Sequence, residues 1–214
     1  MQITADILQR AEDRALPWRV GNDVLYELCR TRPTHADMAE VIAKIWLIGR
    51  SYAAAIERRK NKSETNDDFY EKTVAPVIMG SSIDAWINRA KRYERPCEES
   101  WDTLLQVHHD TTKLFRDISD LEKRSLASKY LHFHVPKLFY IYDTRAAKAL
   151  RSFPEVVRRA GRSGAKTDTQ ADNEYRKFAE KCFSLQQHIE QKFGVTLSPR
   201  ELDNLLLQGQ GKSV

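Results

Sequence analysis

The sequence predicts an all-α fold, and three observations carry that prediction. Almost no run among its 214 residues alternates apolar and polar side chains at period two, the mark of a half-buried strand. Apolar residues recur instead at helical spacing, most plainly over 34–54, 83–93, 97–115 and 172–193. The stretches between them carry helix punctuation: Leu16-Pro17-Trp18, Arg32-Pro33, Gly80-Ser81-Ser82, Arg95-Pro96, and Ser198-Pro199-Arg200-Glu201, a cap with proline at the first helical position. There is no internal repeat and no low-complexity segment.

Residues 4–15 form the first expected helix, with Ile7, Leu8 and Ala11 on one side and Thr4 or Asp6 near its cap. Asn22 is placed to cap a short helix over 23–29. Thr34-His35-Ala36-Asp37 opens the longest apolar helix, which runs through Ile42, Ile45, Trp46, Leu47, Ile48, Tyr52, Ala53 and Ala54. Its apolar residues fall on more than one face, which predicts a central, buried helix. Gly49 within it costs about 1 kcal/mol relative to alanine, so a close approach is expected there. Arg50 lies inside the apolar run and needs a partner, either a carboxylate of the fold or a phosphate or base from outside. Trp46 and Tyr52 admit two readings, core packing or base stacking. The helix is expected to end in Glu57-Arg58-Arg59-Lys60-Asn61-Lys62. That cluster reads as a solvated helix C-terminus favoured by the macrodipole, or as a set of phosphate contacts.

Residues 63–68 read as a loop, 69–79 as a helix kinked at Pro76, and 83–93 as an amphipathic helix with Ile83, Trp86, Ile87 and Ala90 inward. The helix over 97–115 offers Trp101, Leu104, Leu105, His108 and Leu114 to the core. His108-His109-Asp110 has metal-ligand residue types, but neighbours on a helix diverge by about 100°, so no metal site is expected. The three cysteines, Cys29, Cys97 and Cys182, are far apart and form no CxxC, which supports neither a disulfide framework nor a metal centre.

Residues 125–150, SLASKYLHFHVPKLFYIYDTRAAKAL, hold the chemistry. The first part is helical, with Leu126, Tyr130, Leu131 and Phe133 apolar and Ala127 and Ser128 small enough for a close helix contact. Pro136 disfavours helix at Val135. Phe139-Tyr140-Ile141-Tyr142 reads as a short extended segment, and Asp143 as the N-cap of a helix over 144–150. Lys129 projects among apolar neighbours. Burial there lowers an amine's pKa from about 10.4 and makes it a usable nucleophile. Asp143 supplies a fixed carboxylate that can stabilise developing positive charge.

This segment resembles the catalytic region of helix-hairpin-helix DNA glycosylases, in particular their oxoguanine-glycosylase-like branch. Ser128-Lys129 matches the residue pair at the nucleophile, and Ile141-Tyr142-Asp143 the segment that delivers the aspartate. The resemblance covers roughly the middle third of the chain. The usual hairpin glycines are replaced by Ser119-Asp120-Leu121-Glu122-Lys123-Arg124-Ser125, and Lys129 and Asp143 stand 14 residues apart, closer than is usual in the family.

The resemblance implies a single domain over 1–214 with two helical lobes around a cleft, the subdomains being about 34–118 and 119–214 with the N-terminal helices, and excision of a damaged or modified base after nucleotide flipping. Lys129 would attack the anomeric carbon and Asp143 would stabilise the oxocarbenium character. Trp46, Tyr52, Tyr130 or Tyr142 would stack on the base and Arg50 would read its edge. Arg58, Arg59 and Lys60, with Ser128, His132, His134 and Arg145 around the catalytic pair, would contact the DNA backbone, helped by the basic residues over 158–166. His132 and His134 also fit a proton relay or a helix C-terminal cap. The implied role is DNA repair or antiphage defence, with no cofactor.

Composition permits this reading without demanding it. Lys and Arg number 35 against 30 for Asp and Glu, an excess of +5 that is compatible with a nucleic-acid partner. The N-terminus lacks the apolar core of a signal peptide and no run reaches membrane-spanning length, so a cytoplasmic monomer is expected. The alternative is a non-catalytic helical module that binds nucleic acid or protein, with Lys129 lying along apolar neighbours and Asp143 acting only as a cap.

Overall fold

The computed structural model describes residues 3–11, 17–153 and 171–208, and the regular structure among them is all helical. In chain order come α1 (Ala5–Ala11), α2 (Arg19–Thr31) and α3 (Met38–Ser51). In α4, Asn66–Phe69, Tyr70–Val74 and Ala75–Met79 run on as one segment. Then follow α5 (Ile83–Ala90), α6 (Trp101–Ser119), α7 (Arg124–His134), α8 (Thr144–Ala149, continued by a 3-10 turn over Leu150–Ser152), α9 (Asn173–Phe193) and α10 (Pro199–Gln208). No described helix is long and apolar enough to cross a membrane.

The central helix is α7, not α3. Every α7 residue from Leu126 to His134 is buried, and α2, α3 and α6 pack against it. By contrast α3 buries one face, Val41, Lys44, Ile45, Ile48 and Gly49, and leaves Trp46 41% exposed. Apolar residues on several faces of α3 therefore do not mean burial all round. Asp37 caps α3 by accepting the Glu40 amide at 2.9 Å. The helix stops at Ser51, and the chain reverses through Ala53 at φ 51° while the Ala54 amide returns to the Gly49 carbonyl at 2.7 Å. A Cβ on Gly49 would lie 3.1 Å from the Ala55 Cα, so the expected close approach is made by the chain itself. The cluster over 57–62 follows this reversal and is not the end of the helix.

Other bounds differ from expectation too: the helix expected over 97–115 spans Trp101–Ser119, and α4 already begins at Asn66 inside the expected loop. Asn22 lies inside α2 rather than capping it, and its buried side chain accepts the Tyr52 hydroxyl at 2.6 Å. In α4 the discontinuity at Pro76 is a π-helical turn over Tyr70–Val74. Proline lacks the amide hydrogen that would continue the ladder, so the bonding frame shifts just before it.

The α6–α7 hairpin forms without glycine. Asp120 takes the left-handed conformation (φ 55°, ψ 22°) and its amide closes on the Arg116 carbonyl at 2.8 Å. Aspartate is one of the few L-residues that visit this region readily. Lys123, in the turn, donates to the Ala55 and Arg58 carbonyls, and burial pushes its pKa down to about 8.

After Pro136 segment 139–142 is neither helix nor paired strand among the described residues, so side chains satisfy its backbone. His132 Nδ1 donates to the Phe139 carbonyl (2.8 Å), and the Tyr175 hydroxyl donates to the Tyr140 carbonyl (3.2 Å). Ser128 Oγ accepts the Tyr142 amide (3.0 Å). The segment ends on Asp143, extended at φ −149° and ψ 169°, which accepts the Ala146 amide at 2.7 Å and caps α8 as expected. Gly194 at φ 67° closes α9, and a reciprocal Ser198–Glu201 capping box opens α10. α10 packs on α8 and on α1, with the Asn204 amide donating to the Ala11 carbonyl at 3.0 Å.

Candidate active site

Three elements build the site: the middle of α7, the start of α8 and the start of α10. Lys129 is 3% exposed. Its ammonium donates to Ser125 Oγ at 2.6 Å, one turn back on α7, and lies 3.4 Å from the Tyr142 carbonyl. It stands 5.9 Å from the centre of the half-buried Tyr52 ring. Burial holds its pKa below the ordinary lysine value, opposed by the carboxylates of Asp143 and Asp203. The structure thus brings Lys129, Asp143 and Tyr52 into one electrostatic cluster. Asp143 and Tyr52, both half-buried, lie on its outer side.

Two buried residues of α10 act on the same cluster, and the sequence marks them only as part of a terminal helix. Arg200 and Asp203 are 7% and 5% exposed, with Arg200 Nη1 3.5 Å from Asp203 Oδ2. The guanidinium carbon sits 5.5–5.7 Å from the ring centres of Tyr26, Tyr52 and Phe133. A directed chain of hydrogen bonds holds it. His132 Nδ1 faces a carbonyl, which only accepts, so it carries the proton and Nε2 accepts from the Tyr26 hydroxyl at 2.6 Å. The Tyr26 oxygen in turn accepts Arg200 Nε at 2.9 Å. Burial raises the Asp203 pKa to about 7; Asp143 adds to the rise, while Arg200, Lys129 and Arg145 oppose it. The available sequence signal was an Arg–Asp pair three residues apart among Leu202, Leu205 and Leu206, since charges on a helix whose residues 202–206 are all buried must meet something.

The other expected site residues separate. Arg50 is not buried: its side chain is 50% exposed, pairs with Glu57 at 2.8 Å and lies over Trp46. Of its two expected kinds of partner, the structure supplies the carboxylate. Trp46 itself is exposed on α3, neither in the core nor beside Lys129. Tyr130 is fully buried and donates to His35 Nε2 at 2.7 Å, with His35 Nδ1 held by Asp84 at 2.5 Å, so the ring belongs to the core and not to a stacking surface. Tyr142 contributes its carbonyl to Lys129, while its ring packs on Phe178 and under Arg124.

Of the expected backbone contacts, Arg58, Lys60 and Arg145 are exposed. Four are not. Arg59 is 6% exposed, lies 3.9 Å over Phe69 and donates to the Glu57, Glu64 and Thr65 carbonyls and to Asn66. Ser128 is spent on the Tyr142 amide, His132 on Tyr26 and Phe139, and His134 on the Tyr130 carbonyl. Burial holds both histidines well below the ordinary histidine pKa, hence neutral. Segment 158–166 lies outside the described residues. No protein-family model, curated protein or solved structure matches this chain.

Proposed function

We propose that the protein is a DNA N-glycosylase that excises a damaged or modified base, with Lys129 as nucleophile. The observation that carries this reading is a buried amine, 3% exposed and held by Ser125, whose pKa burial lowers and which feels the charge of two carboxylates, Asp143 and Asp203. Neutral Lys129 attacks the sugar C1′ of an extruded nucleotide as the glycosidic bond breaks. The bond's electron pair leaves with the base, which takes up a proton. The Lys129 nitrogen passes its extra proton to a neighbouring carboxylate; the C1′–O4′ bond then breaks, O4′ takes up that proton, and a protonated imine is left between Nζ and C1′. Asp143, fixed by capping α8, stabilises the positive charge that builds on the sugar. The exposed Arg58, Lys60 and Arg145 supply sequence-independent attraction to phosphate.

A second reading, a helical DNA-binding module without chemistry, is favoured by the hydrogen bond that ties Lys129 to Ser125 in a site only 3% exposed. Borohydride trapping on abasic-site DNA separates the two. The nucleophile reading expects a covalent adduct with the wild-type protein and none with Lys129→Ala. Equal trapping by both, or none by either, overturns it and leaves the binding module.

A further inference from the structure

We propose that Arg200 and Asp203 are a reading pair for the edge of the extruded base, selecting lactam edges over amidine edges. In a lactam edge a ring N–H stands beside a carbonyl; in an amidine edge a ring nitrogen stands beside an amino group. The inference rests on the excision reading above and adds the class of base.

Arg200 Nη2 and Asp203 Oδ1 are buried and have no hydrogen-bond partner among the described residues. Their sister atoms are engaged, Nε with the Tyr26 hydroxyl and Nη1 near Asp203 Oδ2. One donor and one acceptor, three residues apart on α10, are therefore left buried without partners, and Tyr52 borders both Lys129 and Arg200. Unpaired buried groups of this kind are costly, and they reject any ligand that does not complete them.

Guanidinium only donates and an ionised carboxylate only accepts. The matching edge must offer an acceptor to Arg200 and a donor to Asp203. A carbonyl oxygen answers a cationic donor better than a ring nitrogen does, and the more acidic ring N–H of a lactam answers a carboxylate better than an amino group does. The selection holds while Asp203 is ionised. Once protonated, the carboxyl sets a second donor beside Arg200, and since neither edge offers two acceptors, the selection fades. The charged and titratable groups acting with Asp203 are Arg200, Asp143, Lys129, Arg145 and Cys182, and with them its pKa lies near 7.

The test measures binding by fluorescence anisotropy, with the full chain and duplexes carrying one 2′-fluoro nucleotide that resists cleavage. The nucleotide is placed opposite an abasic analogue, so no base pairing biases extrusion. Hypoxanthine is compared with adenine, and uracil with cytosine. At pH 8 the wild-type protein should bind the lactam member of each pair about tenfold or more tightly, as expected for a bidentate contact. That ratio should shrink as the pH falls from 8 to 6. Arg200→Gln and Asp203→Asn should collapse it while still binding the duplex. Equal affinity within both pairs at pH 8 overturns the proposal, as does a ratio that neither pH nor the substitutions move. The pH series on wild type decides even if a variant fails to fold. Absence of all DNA binding by the wild type would instead overturn the excision reading, and this inference with it.

Discussion

Ser128 Oγ accepts the Tyr142 amide at 3.0 Å, which bolts the middle of α7 to the segment that delivers Asp143. The same hydroxyl lies 3.0 Å from the Ser125 carbonyl, and Ser125 Oγ both accepts Lys129 and donates to the Tyr142 carbonyl at 3.2 Å. Two serines one turn apart thus set the amine and the carboxylate relative to each other, across a 14-residue interval that no sheet or disulfide bridges. Ser128→Ala should therefore cost about 1–3 kcal/mol, the penalty for a buried amide left without an acceptor. Trapping yield should fall further than the loss of folded protein accounts for. Denaturant midpoints and trapping on the same samples check both; unchanged stability would show that the segment is held by other contacts.

Lys129→Met should stabilise the protein at neutral pH, by roughly 0.5–2 kcal/mol, because it removes a buried charge whose desolvation opposes folding. The sign follows from its lowered pKa. Between the folded and unfolded pKa values the unfolded chain holds more protons, so wild-type stability rises with pH in that window below 10.5. The variant should lose that rise. Urea unfolding of the two proteins from pH 7 to pH 10 measures it, and parallel curves would mean that the ammonium is not desolvated.

Asp203 titrates in the opposite sense. Its folded pKa, about 7, lies above the ordinary 3.8, so the folded state holds an extra proton between them. Stability from this group is fully present below pH 3.8 and is lost as pH rises through 7. Asp203→Asn resembles the protonated form. It should match wild type near pH 4.5 and exceed it at pH 8 by a few kcal/mol at most, since one pKa unit corresponds to about 1.4 kcal/mol. Thermal unfolding at the two pH values decides; a variant less stable at pH 8 would show that the ion pair with Arg200 outweighs burial.

Tyr130→Phe should lower stability by about 1–3 kcal/mol, because His35 Nε2 would be left buried without its hydroxyl. DNA binding and trapping per folded molecule should not change, because the ring faces the core. A loss of base selectivity would return Tyr130 to the site.

How far the site was legible depended on what local order records. Asp143 as a cap, the proline stop and the Ser198–Glu201 box are all written in neighbouring residues, and the structure forms each of them. Burial of Lys129 followed from its apolar neighbours. The roles of Tyr130, Ser128, His132 and Arg59 were not legible, because a polar side chain on a mixed helix face looks the same whether it meets solvent or a partner far away. His35 is 95 residues from Tyr130, and Tyr26 is 106 from His132. Arg200 was hidden by the same distance, 174 residues from the hydroxyl it contacts. The glycine-free hairpin is a different case: residue types alone do not name which side chain takes the left-handed position, and Asp120 occupies it.

The neighbouring arginines Arg58 and Arg59 should separate completely. Arg58 is exposed, and replacing it with Gln should leave stability unchanged while reducing the slope of log affinity against log salt by about one unit, if it meets a phosphate. Arg59 closes the loop ahead of α4 through four hydrogen bonds and the Phe69 face. Arg59→Gln should cost on the order of 2 kcal/mol through the unpaired carbonyls it leaves, with the salt slope of the folded protein intact. Binding titrations at several salt concentrations, paired with denaturant unfolding, read both effects. A changed slope for Arg59→Gln would place that guanidinium against DNA after all, and an unchanged slope for Arg58→Gln would move the phosphate track elsewhere on the surface.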